Sequence, residues 1–407
     1  AGAFDPADGL SVAEGELVAL VFNRSLRVAR LEAGVARATA AHAGLWDDPV
    51  LGIDLERVIS GVPDPWVVGG TLGLTIPISG RPGLEQDLAR ADVAVAIERV
   101  AAQEWGVRCD VRRRWIEWSV EAARQRLTIS LVERLRRVTD LAERQARGGV
   151  MSSIDARLFR VELAGAEADL LAGEARVREL ELGLRDVLGL SQGAPITLLE
   201  QVRHEASTGD EAQALARFEQ AGPALMEARA EYEAAERALR LEVREQYPDL
   251  EIGPGAATDE GTDRVLLGLS LPLPIWNRNR QAIAEAEARR DVARGRFEAA
   301  YEDGASQLAV AWARLDAARA VRDLVERSVL PLAEEQDRDV QRVMELGGVD
   351  PLVLLQSLQT RHSAAVRWLE AGGAESLAAI GVDEVVGPES PAPGAEQVGR
   401  SDVGGQR

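Results

Sequence analysis

Four short stretches of the chain alternate apolar with polar residues, and nearly all the rest repeats its apolar residues at spacings of three and four. In the first stretch, about 49–58, Leu51, Ile53 and Leu55 fall on one side, and Gly52, Asp54 and Glu56 on the other. The second, about 66–77, sets Leu72, Leu74 and Ile76 against Thr71, Gly73 and Thr75. The third, about 248–257, sets Leu250, Ile252 and Ala256 against Asp249, Glu251 and Gly253. The fourth, about 264–274, sets Val265, Leu267, Leu269 and Leu271 against Arg264, Gly268 and Ser270, with Leu266 as one apolar intruder. A period of two predicts strands with one apolar face.

Helical spacing covers about 10–45, 81–147, 152–189, 211–246, 278–346 and 350–381. At ~1.5 Å per residue, a single helix over 81–147 would be about 100 Å long. Apolar positions at Leu84, Leu88, Ala91 and Val95, and again at Leu308, Leu315, Ala318, Val325 and Leu332, suit packing between antiparallel helices. Each long helix runs into a Gly-Gly pair, Gly148–Gly149 or Gly347–Gly348. Glycine takes the left-handed conformation that ends a helix. Ser152, Ser153 or Asp155 can cap the first returning helix, and Asp350, followed by Pro351, the second.

These elements occur in the same order twice. GGTLGLTIPI at 69–78 matches RVLLGLSLPLPI at 264–275, with Gly73 against Gly268 and Pro77 against Pro272, both 195 residues apart. The tip turns RGGVMSSIDARL and LGGVDPLVLL place Asp155 and Asp350 at the same offset, and VLGL at 187–190 resembles AIGV at 379–382. The predicted class is mainly α with a small β part: a duplicated unit of helix, β-hairpin and long helical hairpin. The first repeat spans 1–190 and the second 211–383. Residues 191–210 link them with one short strand, and 384–407, rich in Pro, Gly and small polar residues, form a disordered tail.

Composition narrows the function. A net charge of −20 argues against nucleic acid as a partner. Cys109 is the one cysteine, and His42, His204 and His362 are scattered, so no metal site is expected. With no nucleophile elbow and no phosphate-binding glycine loop, neither an enzyme nor a cofactor is expected. No run of 18 apolar residues exists, so a membrane-crossing part has to use strands. Four strands cannot close a barrel, and open edges are not tolerated in hydrocarbon. Several copies would therefore share one. Trp46, Trp66 and Trp276, at the strand ends, suit an aromatic belt.

The chain resembles the TolC family of outer-membrane factors from about Ser11 to Asp383. The marks are the duplicated plan, Asn23 with Leu26, and LGLSLPLPIWNRNRQAIAEAEA from Leu267 to Ala288. It looks most similar to outer-membrane components of cobalt-zinc-cadmium efflux systems. The resemblance implies a homotrimer in the outer membrane of a Gram-negative-type bacterium. Its 12-stranded barrel would sit in outer-membrane lipid and continue as a coiled-coil helical tunnel in the periplasm. Such a duct is passive. It is opened by a periplasmic adaptor and supplied by an inner-membrane pump of the RND type, and the likeness to cobalt-zinc-cadmium systems implies heavy-metal cations as its cargo.

The resemblance also implies site residues. Adaptor-contacting tips map onto Gly148, Gly149 and Val150, and onto Gly347, Gly348 and Val349. The periplasmic gate maps onto Asp155 and Asp350, while the second acid of the family's gate is here Val353. Asp54, Glu56 and Glu251 fall on the predicted lumen face of the barrel, where acids would favour cations. The competing expectation is a soluble periplasmic coiled-coil scaffold, or an adaptor without a pore.

Overall fold

The computed structural model describes residues 9–57, 59, 66–259, 262–345 and 350–389. Its elements are α1 (Val12–Phe22), α2 (Arg24–Ala41), β1 (Val50–Arg57), β2 (Trp66–Ile76), α3 (Arg81–Arg147) and α4 (Ser153–Val187). The same order then repeats as α5 (Glu211–Ala221), α6 (Pro223–Arg244), β3 (Leu250–Asp259), β4 (Thr262–Ser270), α7 (Arg280–Leu324), α8 (Leu330–Glu345) and α9 (Pro351–Val386). Residues 191–210 hold one parallel bridge, Leu198 to Leu10, rather than a strand.

Each repeat begins with two helices where the spacing predicts one. Ser11 caps α1 reciprocally with Glu14, and Asp210 caps α5 by accepting from the Gln213 amide at 2.7 Å. Asn23 ends α1 in an extended conformation. Its Oδ1 accepts from the Ser25 amide at 2.9 Å, starting α2, while its Nδ2 donates to the Val187 carbonyl at 2.9 Å. In the second repeat Gly222 makes the break and Pro223, lacking an N–H, follows it.

The caps correct the alignment of the repeats. Ser11 with Asp210, Asn23 with Gly222, and Arg81 with Arg280 are each 199 residues apart. The N-cap of α4 is Ser152 and that of α9 is Asp350, an offset of 198. Asp155 is therefore not the counterpart of Asp350. Likewise Gly189 and Gly387 correspond, both left-handed. A Cβ on Gly189 would meet the Phe22 carbonyl oxygen at 2.2 Å, and one on Gly387 the Ala221 oxygen at 2.0 Å. AIGV is thus no counterpart of VLGL. α9 runs on to Val386, through residues 384–386 expected in the tail; residues 390–407 of that tail lie outside the described residues. The 195 offset matches letters of β2 and β4 only: Val50 pairs with Gly73 and Gly253 with Gly268, so β1 and β3 do not keep it. The link after β4, 271–279, is longer than the link after β2, 77–80.

The second long helix is interrupted where the first is not. A π turn, Val325–Val329, separates α7 from α8, and Pro331 follows it. Proline at 331 cannot donate to an α-helical bond and crowds the carbonyl four residues back. The extra residue in the turn rotates the seam. Leu308, Leu315 and Val325 are buried as the spacing predicts, but Leu332 is 65% exposed and Ala333 takes its place.

The chain forms two compact units that each draw on both repeats. One comprises residues up to 27, 102–223 and from 303 on; the other comprises 28–101 and 224–302. In the first, Trp115, Trp118 and Val111 of α3 pack with Leu184 and Leu188 against Val12 and Ala19 of α1. A second cluster joins Val132 and Leu135 to Phe159 of α4 and Leu355 and Leu358 of α9. Cys109 is fully buried beside Trp105, Ile116 and Ile380, and burial pushes its thiol up to about 12, so it is inert at neutral pH.

The second unit carries the sheet, ordered β1-β2-β3-β4 and antiparallel throughout. The two predicted hairpins are joined edge to edge through β2 and β3. β4 stops at Ser270, short of the expected 274, because Pro272 and Pro274 have no N–H to give a ladder.

Candidate functional site

The register sorts the sheet into two faces of opposite character. Leu51, Ile53 and Leu55 of β1 share one face with Val68, Leu72, Leu74 and Ile76 of β2, Leu250, Ile252 and Ala256 of β3, and Val265, Leu267 and Leu269 of β4. Most of these side chains are open to the surroundings, with Ile53 at 73%, Leu267 at 70% and Val265 at 91% exposure, while Ile76, Leu250 and Ile252 are half-buried. Among the described residues, nothing covers the open ones. A monomeric soluble protein rarely leaves so large an apolar patch uncovered.

The other face is mostly polar or bare, with Val50, Val67 and Leu266 as its large apolar residues. Gly52, Gly69, Gly73, Gly253, Gly255 and Gly268 lie on it, with Thr71, Thr75 and Ser270. Space is tight there: a Cβ on Gly255 would stand 2.8 Å from the Gly70 carbonyl oxygen, and one on Gly52 2.6 Å from the Thr71 hydroxyl. Glycine at these two positions allows that close approach. Asp54, Glu56 and Glu251 all occupy this face. Asp54 lies opposite Gly69 and Glu251 opposite Thr75. Six residues of β2 separate those positions, about 20 Å at ~3.4 Å per residue. Asp54 and Glu56 thus form a close pair on β1, and Glu251 stands at the other end of the ladder.

At the first hairpin tip, α3 ends in a Schellman turn. Gly149 is left-handed at φ 76°, the Val150 amide donates to the Gln145 carbonyl at 2.9 Å, and the Gly149 amide to that of Ala146 at 3.1 Å. Gly148 keeps a negative φ, so one left-handed glycine makes the turn. Ser152 then caps α4 by accepting from the Ile154 amide at 3.1 Å. Val150 is 80% exposed. Asp155 lies half-buried in the first turn of α4. Gly347, Gly348 and Val349 lie outside the described residues. Asp350 is exposed and caps α9, its Oδ1 accepting from the Leu352 amide at 2.9 Å, with Pro351 in the first turn.

Two buried acids escaped the sequence reading. Asp337 of α8 is 3% exposed, and accepts from Ser357 at 3.2 Å and Arg361 at 3.0 Å, with Arg134 at 3.5 Å. Asp383 of α9 is 1% exposed. Its Oδ2 accepts from His204 Nε2 at 2.8 Å, and its Oδ1 from the Ser207 amide at 2.9 Å and hydroxyl at 2.6 Å. These bonds hold the linker against α9. Burial works to raise the Asp383 pKa, but hydrogen bonds from His204 and Ser207 outweigh it and hold the carboxyl below its ordinary value. Asp337 and Asp383 were legible only as acids inside apolar helical patterns, and their partners lie far off in sequence. Among the described residues, no group of three or more His, Cys, Asp or Glu is placed to hold a metal ion.

Comparison with known proteins agrees with this geometry. The model of the outer membrane efflux protein family matches residues 18–190 and 214–373. The cobalt-zinc-cadmium resistance protein CzcC of Cupriavidus metallidurans is 28% identical over 289 residues, 69% of each chain. Among solved structures, a membrane protein from Pseudomonas aeruginosa superimposes with a TM-score of 0.77 at 16% identity, covering 94% of this chain and 92% of that one. The outer membrane protein VceC of Vibrio cholerae gives 0.76 at 18% identity, covering 92% and 96%. With the family model matched over most of its length, the chain belongs to the outer membrane efflux protein family.

Proposed function

We propose that the chain is one protomer of a homotrimeric outer-membrane duct, and that its sheet supplies four of twelve strands in a shared barrel. The observation that carries this reading is the sheet itself: one uncovered apolar face, one glycine-rich polar face, and two unpaired edges, β1 and β4. In lipid, such edges must pair. With no second sheet among the described residues, β4 of one copy would pair with β1 of the next. The helices would continue the duct into the periplasm.

The cargo would be heavy-metal cations. The likeness to CzcC supports that class, and acids at Asp54, Glu56 and Glu251 on the polar face would raise cation concentration in a narrow lumen. In such a duct Asp350 would stand in a ring of three near the entrance, with Asp155 set further back on α4. Asp350→Ala is expected to change cation block of single channels in planar bilayers without lowering trimer yield. Unaltered block would leave Asp350 a helix cap alone.

The partners would be a periplasmic adaptor and an inner-membrane pump of the RND type, with Gly148, Gly149, Val150, Gly347, Gly348 and Val349 at the docking end. Val150, exposed at the tip, carries no core packing, so Val150→Arg should leave the fold intact. In cells lacking their own copy, Val150→Arg is expected to keep normal trimer levels and abolish metal resistance. Full resistance at normal trimer level would show that this tip does not dock the adaptor.

A further inference from the structure

The two links that lead from the sheet into the long helices are equivalent in the duplication and unlike in structure. Residues 77–80 make the first. It is short and anchored at Ser79, which is 4% exposed, its amide donating to Asp249 at 3.2 Å and its carbonyl accepting from Arg244, while Ile78 beside it is 57% exposed. The second, 271–279, is five residues longer than the first, and all of 271–278 is exposed. It holds large apolar groups at Leu271 (46%), Leu273 (68%), Ile275 (61%) and Trp276 (88%).

These residues continue the alternation of β4. Val265, Leu267 and Leu269 lie on the apolar face, and Leu271 and Leu273 follow in the same phase. Carrying the ladder one step further sets Leu271 beside Leu250, which pairs with Ile76. β2 thus bears apolar residues to the end of its strand, whereas β4 by itself ends too soon. From Val265 to Leu269 the chain advances about 14 Å at ~3.4 Å per residue. A tilt of about 40° leaves about 10 Å of height, against an apolar band of about 25 Å in outer-membrane barrels. Continuing to Leu273 brings the height to about 21 Å by the same arithmetic. Ile275 and Trp276 then stand at the boundary, where indole rings collect, followed by the polar Asn277 and Arg278.

An unpaired segment is normally barred from hydrocarbon because its amides have no partner. Here Pro272 and Pro274 have no N–H. The Ile275 amide donates to the Leu273 carbonyl at 2.8 Å. Beyond the segment the backbone is held in a strained form: Arg278 and Asn279 are left-handed at φ 48° and 52°. Asn279 is fixed by donating to the Glu242 carbonyl at 2.9 Å and carboxylate at 2.8 Å.

We infer that residues 271–276 are a proline-alternated extension of β4 that lies in the lipid acyl region and ends at the headgroup boundary with Trp276. The inference rests on the outer-membrane barrel reading, and its test separates the two. Single-cysteine variants Leu267→Cys, Leu273→Cys, Ile275→Cys and Glu335→Cys, in a Cys109→Ala background, are labelled with bimane. Each is reconstituted in phosphatidylethanolamine–phosphatidylglycerol vesicles that carry nitroxide lipids. The label at 273 should lose at least half its emission to acyl-chain nitroxide, as at 267. The label at 275 should be quenched more by headgroup nitroxide, and that at 335 by neither. If 267 is quenched while 273 and 275 emit like 335, the extension is out of the lipid and the inference is wrong, whether water or a neighbouring copy covers it. If 267 is also unquenched, the barrel reading itself has failed.

Discussion

Leu267→Arg is expected to abolish assembly in the outer membrane. Leu267 is 70% exposed in the middle of the apolar face, on the edge strand β4. Arginine near the midplane of a lipid-facing barrel wall costs about 2–4 kcal/mol. In a trimer every copy bears it, so the total is about 6–12 kcal/mol, the size of a whole folding free energy. Glu251→Gln, on the opposite face, touches no lipid in this account and should assemble normally. The check is the amount of heat-resistant trimer in outer-membrane fractions, with the two variants side by side. Normal trimer from Leu267→Arg would mean that the apolar face does not meet lipid.

Asp383→Asn is expected to be the most damaging single change in the helical part. The carboxylate is almost wholly buried and accepts from His204 and Ser207, with Arg112 at 3.8 Å. Asparagine would set an amide N–H₂ against some of these donors, and leaving buried polar partners unsatisfied typically costs about 1–3 kcal/mol. The pH dependence has a definite sign. Because the folded pKa lies below the ordinary carboxylate value, the stabilisation is present above about pH 4 and is lost as pH falls through the folded pKa. Thermal unfolding of the wild type should therefore lose stability in acid more steeply than that of Asp383→Asn. Parallel acid limbs would show that Asp383 does not carry this linkage.

The sheet was the most legible part of the fold. A period of two fixes which residues share a face, and the register puts each named residue within the strands on its expected side; Asp249 and Leu271 fall outside the ladder. The union of the hairpins through β2 and β3 was not legible, since edge pairing has no local signature. Helix type and length were readable from spacing, but the phase was lost at Pro331. A single extra residue in the π turn exchanged Leu332 for Ala333 in the seam. Matching motifs by letters paired Asp155 with Asp350, whereas the caps pair Ser152 with Asp350. Serine and aspartate cap helices by the same hydrogen bond, so structural equivalence was hidden behind a change of residue. At the site, the acids of the polar face were legible from alternation, but their spread along the ladder required the register.

The central claim is that this sheet is completed only by other copies of the chain in lipid. The most direct test is the mass of the purified full chain in detergent, by sedimentation with the bound detergent subtracted. The account predicts a protein mass of about 131 kDa, three times the 43.8 kDa of one chain, and precipitation when detergent is withdrawn. A monodisperse 43.8 kDa species, fully helical and soluble without detergent, would contradict it.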